Sequence, residues 1–256
     1  MRRGREFRSF RTSPRLLEVR SAERTELWTE AVGAPPPVYG ERWAESAGRF
    51  FRSFEPARSK LSAAIVRGWT GDLPTVGDRW LYLGAASGTT ASHVADLVGR
   101  EGRVHALERS LRPFARLLAL ADRWPGLLPV LGDAREPRRY FPLVPPVDGL
   151  YADIAQPDQV EIVLANAALY LRAPGTPVLL ALKTPSMGRD STAAGHLRRA
   201  EEVLAAVLDL EPAVKLDPFH RGHYLLGGRS RAELFDGRGR PVVTPPRGRS
   251  PGRRPR

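Results

Sequence analysis

Cysteine is absent from the 256 residues, which excludes disulfides, zinc–thiolate sites and a cysteine nucleophile. Lysine is scarce. Of 40 basic residues only Lys60, Lys183 and Lys215 are lysines, against 37 arginines. In a chain that places arginine almost wherever a positive charge serves, a retained lysine marks a position where a compact ammonium is needed and a planar guanidinium is not equivalent. The five histidines, His93, His105, His196, His220 and His223, show no metal-ligand spacing of the HExxH type, so a metal-independent mechanism is expected. No stretch approaches the ~18 consecutive apolar residues of a membrane helix, and the opening "MRRGREFRSF" has no apolar signal core. The expectation is a cytoplasmic location with no membrane partner.

The formal net charge of +12 is unevenly placed. Residues 1–20 carry seven arginines against Glu6 and Glu18, and residues 237–256 carry seven arginines and no acid. These two segments account for the whole excess, leaving residues 21–236 neutral. Arginine-rich tails attract phosphate chains by counterion release, and they also serve as solubilising surface.

Hydrophobic patterning divides the chain into four parts. Residues 1–13 form a basic segment without order-forming pattern. Residues 14–56 read as a small β-rich module with strands in "RLLEV", "TELWTEAV" and "RFFRSF". Residues 57–235 form the main domain, and 236–256 an Arg/Gly/Pro-rich tail without regular structure. Within the main domain, "SKLSAAIVRGW" has helical character with Ser59 as cap. From Trp80 onward strands and helices alternate. Strands end near Gly84, Glu108, Asp133, Asp153 and Lys183, and helices follow over about 90–97, 112–123, 160–171 and 193–208. "AVKL" and "HYLLGG" are separated by too few residues for a parallel crossover, so they are read as antiparallel. The fold class is therefore α/β. It is a doubly wound, Rossmann-like sheet, mostly parallel with an antiparallel last strand, carrying the β-rich module in front.

The polar residues at the strand ends fall on the edge where open α/β sheets bind ligands. "GAASGTT", Gly84 to Thr90, supplies backbone N–H groups that a ligand can approach closely. It lacks the lysine of a nucleoside-triphosphate loop and the third glycine of a dinucleotide fingerprint. Glu108, 24 residues beyond Gly84, stands where an acid accepts from two ribose hydroxyls. Asp133 with Ala134 is placed to meet an adenine edge. A ligand with adenosine and no pyrophosphate satisfies these features: S-adenosylmethionine. A nicotinamide dinucleotide oxidoreductase is the competing reading.

The segments "RSKLSAAI" (58–65), "YLGAASGTTASHV" (82–94), "LGDAR" (131–135), "ADIAQPDQ" (152–159) and "DPFHRGH" (217–223) resemble fibrillarin. This is the family of archaeal and eukaryotic 2′-O-methyltransferases of box C/D RNA-guided particles, and the resemblance runs from about Val38 to Gly228. It implies a class I methyltransferase fold and methylation of ribose 2′-hydroxyls in rRNA, and in tRNA, with S-adenosylmethionine as cofactor. It also implies a catalytic set at Lys60, Asp153, Lys183 and His223, which takes up two of the three lysines. The implied cofactor contacts are Gly84, Ala85, Ala86, Ser87, Gly88, Thr89 and Thr90, with Glu108, Asp133, Ala134, Asp153 and Gln156. In the implied roles Asp153 orients or deprotonates the hydroxyl, Lys60 and Lys183 surround it and hold the sugar-phosphate, and His223 orients its neighbours. The implied partners are a Nop-type scaffold protein, a kink-turn-binding ribosomal-type protein, a box C/D guide RNA and the target rRNA or tRNA, with the β-rich module expected to help in scaffold docking.

Three stretches depart from family usage: Arg109 replaces an aromatic after the ribose-binding acid, Gly222 replaces an acid before the histidine, and "KTPSMGRDST" differs after the second lysine. Two other functions keep parts of this reading, a methyltransferase acting on protein glutamine and a non-catalytic RNA-binding subunit.

Overall fold

The computed structural model describes residues 8–10, 13–20, 25–188 and 191–235. Its order begins with strands β1 (Arg8–Phe10), β2 (Ser13–Arg20), β3 (Thr25–Glu30), β4 (Trp43–Ser46) and β5 (Arg49–Ser53), then helix α1 (Lys60–Val66). The main domain continues as β6 (Arg79–Leu83), α2 (Thr89–Val98), β7 (Arg103–Glu108), α3 (Leu111–Ala121) and β8 (Leu127–Leu131). It closes with β9 (Gly149–Ala152), α4 (Gln159–Tyr170), β10 (Pro177–Lys183), α5 (Ala193–Ala205), β11 (Leu208–Leu210), β12 (Val214–Lys215) and β13 (His223–Ser230).

Two sheets result. The first has the order β1-β2-β3-β5-β4, each neighbour antiparallel. The second runs β11-β13-β10-β9-β6-β7-β8, with β12 paired to β13. In it β8, β7, β6, β9 and β10 are mutually parallel, and β13 enters antiparallel beside β10. Strand order reverses at β6: the chain moves outward through β7 and β8, then returns to β9 on the other side. A crevice opens outside the carboxyl ends of strands at such a switch point. Here it lies between Gly84, after β6, and Asp153, after β9, because Leu83 and Ala152 are register partners.

The central strands are buried on both faces, as parallel strands covered by helices must be. Alternation sends Trp80 and Tyr82 of β6 into one core cluster and Leu81 and Leu83 into the other. The first cluster also contains Leu16, Leu27 and Phe54 of the β-rich segment, so that segment shares a core with α1 and α2. A buried ionic network reinforces the junction. Arg52 Nε donates to Asp96 at 2.6 Å, its Nη1 to Glu41 at 2.8 Å and its Nη2 to Ser92 Oγ at 2.7 Å, with all three charged side chains fully buried. His93 belongs to the same seam, bonded through Nδ1 to Thr29 and through Nε2 to Tyr39. His93, on α2, is fully buried in this seam and is structural.

Some boundaries differ from the sequence reading. Residues 8–10, expected to lack regular structure, form an edge strand because they pair with Leu17 and Glu18 of β2. The helix expected over 193–208 stops at Ala205, and Leu208–Leu210 turns into β11 along the free edge of β13. The Arg/Gly/Pro-rich tail, 236–256, lies outside the described residues. No helix among them is long and apolar enough to cross a membrane.

Candidate active site

α1 begins where Ser59 caps it, its side chain accepting from Ser62 N–H. That cap fixes Lys60 as the first helical residue, facing the switch point. Lys60 Nζ lies 2.7 and 2.8 Å from the two carboxylate oxygens of Asp153, a bidentate pair only about one-fifth exposed. Asp153 leaves β9 with its own N–H bonded to Leu83 O at 2.9 Å.

Lys183 ends β10 and stands directly across from His223, the first residue of β13. The backbone of Lys183 is clamped on both sides by Gln159, which is fully buried: Lys183 N donates to Gln159 Oε1 at 2.9 Å and Gln159 Nε2 donates to Lys183 O at 3.1 Å. The Lys183 ammonium forms no ion pair among the described residues. His223 Nδ1 contacts Arg221 O at 2.9 Å and His220 Nε2 contacts Pro56 O at 2.8 Å. A carbonyl only accepts, so those nitrogens carry the protons and the opposite ring nitrogens are acceptors. Burial pushes both imidazoles below their ordinary range, which keeps them neutral near pH 7. At the departure point, Gly222 adopts φ +69° and its carbonyl accepts from Thr184 N–H and Oγ1. The orientation of His223 is therefore set by Arg221 and Thr184 in place of a carboxylate.

Beside this group is a cavity of about 310 Å³. Seven of the residues expected to contact a cofactor line it: Gly84, Ala86, Glu108, Asp133, Ala134, Asp153 and Gln156. Five do not. Ala85 is buried under the turn, with its N–H on Leu107 O, and Gly88 packs on Leu120 at the start of α2. Thr90 is buried with its hydroxyl on Ser59 Oγ. Ser87 and Thr89 line a different depression. The reason is the turn that precedes α2: with Gly84, Ala86 and Gly88 all at positive φ, successive residues of the contiguous motif face different sides before the helix begins at Thr89.

Glu108 is held rigidly, with Oε2 accepting from Ala86 N–H at 2.9 Å and Oε1 from Ser110 N–H at 2.7 Å. Each oxygen keeps further acceptor capacity. Asp133 is paired differently. Both its oxygens accept from Arg135, and Arg109 Nη1 lies 3.6 Å away. The hydrogen bonds from Arg135 hold this carboxyl below its usual range. Ala134 O is fixed by Asn166 Nδ2 at 2.8 Å, and Asn166 Oδ1 in turn accepts from Tyr140. The N–H of Ala134 has no partner among the described residues.

Two residues that the structure sets against the expected catalytic positions escaped the sequence reading. His220 sits in "DPFHRGH" three residues before His223, and its ring lies 5.9 Å from that of His223. Gln159 closes "ADIAQPDQ", and its buried amide binds the backbone of Lys183. Among the described residues no group of three or more acids and histidines is arranged to hold a metal ion.

Gly84 tests the geometry of the crevice. Its φ is +80°, and a Cβ there would press into the Asp153 carbonyl oxygen. Gly40 has a similar φ of +91° but open space around it. Gly40→Ala should cost only the backbone term, about 1 kcal/mol, while Gly84→Ala should cost roughly 2–4 kcal/mol. Urea unfolding midpoints compare the two, and equal losses would refute the close approach.

The family model described as Fibrillarin matches residues 14–232. A fibrillarin-like rRNA/tRNA 2′-O-methyltransferase of Aeropyrum pernix is 42% identical over 191 residues, spanning 74% of this chain and 81% of the relative. The structure of Aeropyrum pernix fibrillarin with natively bound S-adenosyl-L-methionine superposes with a TM-score of 0.77 at 36% identity, covering 87% of this chain and 97% of that one. A fibrillarin solved in complex with Nop5p superposes at 0.73 with 34% identity, covering 80% and 94%.

Proposed function

This chain belongs to the fibrillarin family, as an S-adenosylmethionine-dependent RNA 2′-O-methyltransferase, and from that premise we propose that it works as the catalytic subunit of a box C/D guide-RNA ribonucleoprotein acting on rRNA and tRNA. The observation that carries the reading is the Lys60–Asp153 pair, whose Asp153 lines the cavity, with His223 near enough to feel both charges and Lys183 opposite His223 in the sheet.

The cavity suits an adenosine-bearing ligand. Glu108, immobilised by two N–H groups, offers its remaining lone pairs to ribose hydroxyls, and the Ala134 N–H, without a partner among the described residues, offers a donor to a base edge. Gly84 keeps the floor free of a side chain. Gly84, Ala86, Glu108, Asp133, Ala134, Asp153 and Gln156 would hold the cofactor. When bound, S-adenosylmethionine supplies a methyl group on a sulfonium, an electrophile that needs no further activation.

The chain's own residues then have three tasks. Asp153 accepts the hydrogen bond, and finally the proton, of the ribose 2′-hydroxyl. Lys60 fixes the plane of that carboxylate by binding both oxygens, so its remaining lone pairs point in a set direction. Lys183, without an ion pair among the described residues, holds the sugar-phosphate, and neutral His223 orders the neighbours through its unprotonated nitrogen. Positioning of reactants supplies much of the rate, up to about 7–11 kcal/mol in well-oriented systems.

A Nop-type scaffold is the proposed partner, consistent with the Nop5p bound to a similar fibrillarin. A kink-turn-binding protein and guide RNA complete the assembly, in which base pairing selects the nucleotide. The neutral body fits that division of labour, since it has no overall basic surface with which to read sequence itself. Reconstitution with these components and radiolabelled cofactor, followed by mapping of methylated riboses, tests the reading. Methylation is expected at the guide-specified ribose. Label entering protein glutamine instead, or no guide-dependent label, would overturn it.

A further inference from the structure

On the far side of the glycine loop a second depression, about 580 Å³, is walled in part by Tyr39, Arg58, Ser87, Thr89, Arg116 and Arg123. Its lining holds three arginines and no carboxylate. Other depressions mix their signs: the cofactor cavity sets Glu108, Asp133 and Asp153 against Arg109, and one beside Phe219 sets Glu26 and Glu55 against Arg42. In a body that is neutral overall, three uncompensated guanidiniums in one groove are a local concentration of charge.

None of the three forms an ion pair among the described residues. Arg58 lies 5.5 Å over the ring of Tyr39. Arg123 donates to Ala34 O and Pro36 O, which fixes its place in the wall. Arg116 projects from the exposed face of α3. The groove adjoins the reacting centre. Arg58 precedes Lys60 by two residues, Ser59 between them bonds Thr90, and Ala86 faces the cofactor cavity while Ser87 faces the groove.

We propose that this groove carries the sugar-phosphate backbone of the RNA strand flanking the nucleotide being methylated. The proposal rests on the RNA-methyltransferase reading above. Guanidiniums suit phosphate because their planar forks donate two parallel hydrogen bonds. Serine and threonine hydroxyls at Ser87 and Thr89 supplement them, as such groups commonly do at phosphates. A phosphate contact carries no sequence information, so the groove positions the strand while guide pairing selects it.

The test uses the full chain with Arg58→Ala and Arg116→Ala combined. Both residues are exposed, and unchanged affinity for S-adenosylmethionine reports an intact fold. Binding of a fluorescent single-stranded RNA is titrated across a series of KCl concentrations. Losing two phosphate contacts should flatten the slope of log K against log salt by about 1.4. In the reconstituted assembly the KM for target RNA should rise about tenfold. The Arg58→Lys, Arg116→Lys pair keeps both charges and should restore most of the slope. An unchanged slope in the alanine variant overturns the proposal. So does weakened binding of the scaffold protein with RNA binding intact, which would make the groove a dock for an acidic protein face. If the unsubstituted chain transfers no methyl group to RNA, the parent reading fails, and the titration still decides separately whether the groove binds RNA.

Discussion

Asp153→Asn should lower the rate constant for methyl transfer by about 10²–10⁴-fold while leaving the chain folded. Asparagine keeps the shape and hydrogen-bonding reach of the side chain but cannot take up the hydroxyl proton. It also exchanges the bidentate ion pair with Lys60, at 2.7 and 2.8 Å, for a single hydrogen bond from the ammonium to an uncharged amide oxygen. Single-turnover transfer of a labelled methyl group measures the loss, and calorimetry with S-adenosylmethionine separates chemistry from binding. Lys60→Met should also be slow, because Asp153 then loses the partner that fixes its plane. The two residues act as a unit, so the double variant should be no worse than Asp153→Asn beyond about threefold. Activity of Asp153→Asn within about fivefold of the unsubstituted chain would remove Asp153 from the chemistry. Strictly additive losses would show that Lys60 works through something other than Asp153.

The largest effect on stability is expected at Arg52. Its guanidinium is fully buried and contacts Asp96, Glu41 and Ser92, with the ring of Trp124 4.7 Å beneath it. Arg52→Ala would leave two carboxylates in the interior without their counter-charge. Removing one member of a buried pair costs about 3–5 kcal/mol, since the surviving charge stays desolvated. Asp96 retains other donors in Thr29 Oγ1, Val32 N–H and Trp124 Nε1, which favours the lower half of that range. For a chain of this size the melting temperature should fall by on the order of 10 °C. Glu41→Gln combined with Arg52→Met should recover part of the loss, because it removes a second buried charge. Thermal melts and urea midpoints check both, and a shift below about 1 kcal/mol for Arg52→Ala would mean that water reaches the network.

The same residue shows what the sequence leaves unreadable. "RFFRSF" reads as a strand, and Arg52 within it looks like any outward-facing basic residue among 37 arginines. It is buried because the sheet containing β5 packs on α2 through β2 and β3, bringing Asp96, 44 positions away, against it. β11 was hidden for a similar reason. "AAVLDL" continues a helical pattern, and only the free edge of β13 draws Leu208–Leu210 into a strand. Ser87 and Thr89 belong to a contiguous loop motif, yet the turn into α2 directs them to another face.

What the sequence determined by itself was the inventory and its order. The alternation of strands and helices, the polar residue at each strand end, and the glycine loop without a third glycine are local patterns, set by side-chain periodicity and backbone freedom. The few lysines are likewise visible in composition alone. What only the tertiary structure decided was which of these meet. Lys60 and Asp153 are 93 residues apart and close to 2.7 Å because the strand order reverses at β6. Lys183 faces His223 because β13 enters antiparallel. Arg58, just before α1, shares one groove with Arg116 and Arg123, on and just past α3, and no carboxylate lines it. Pairings of this kind depend on long-range topology and on which charges are removed from water together, and neither is written in any local stretch of residues.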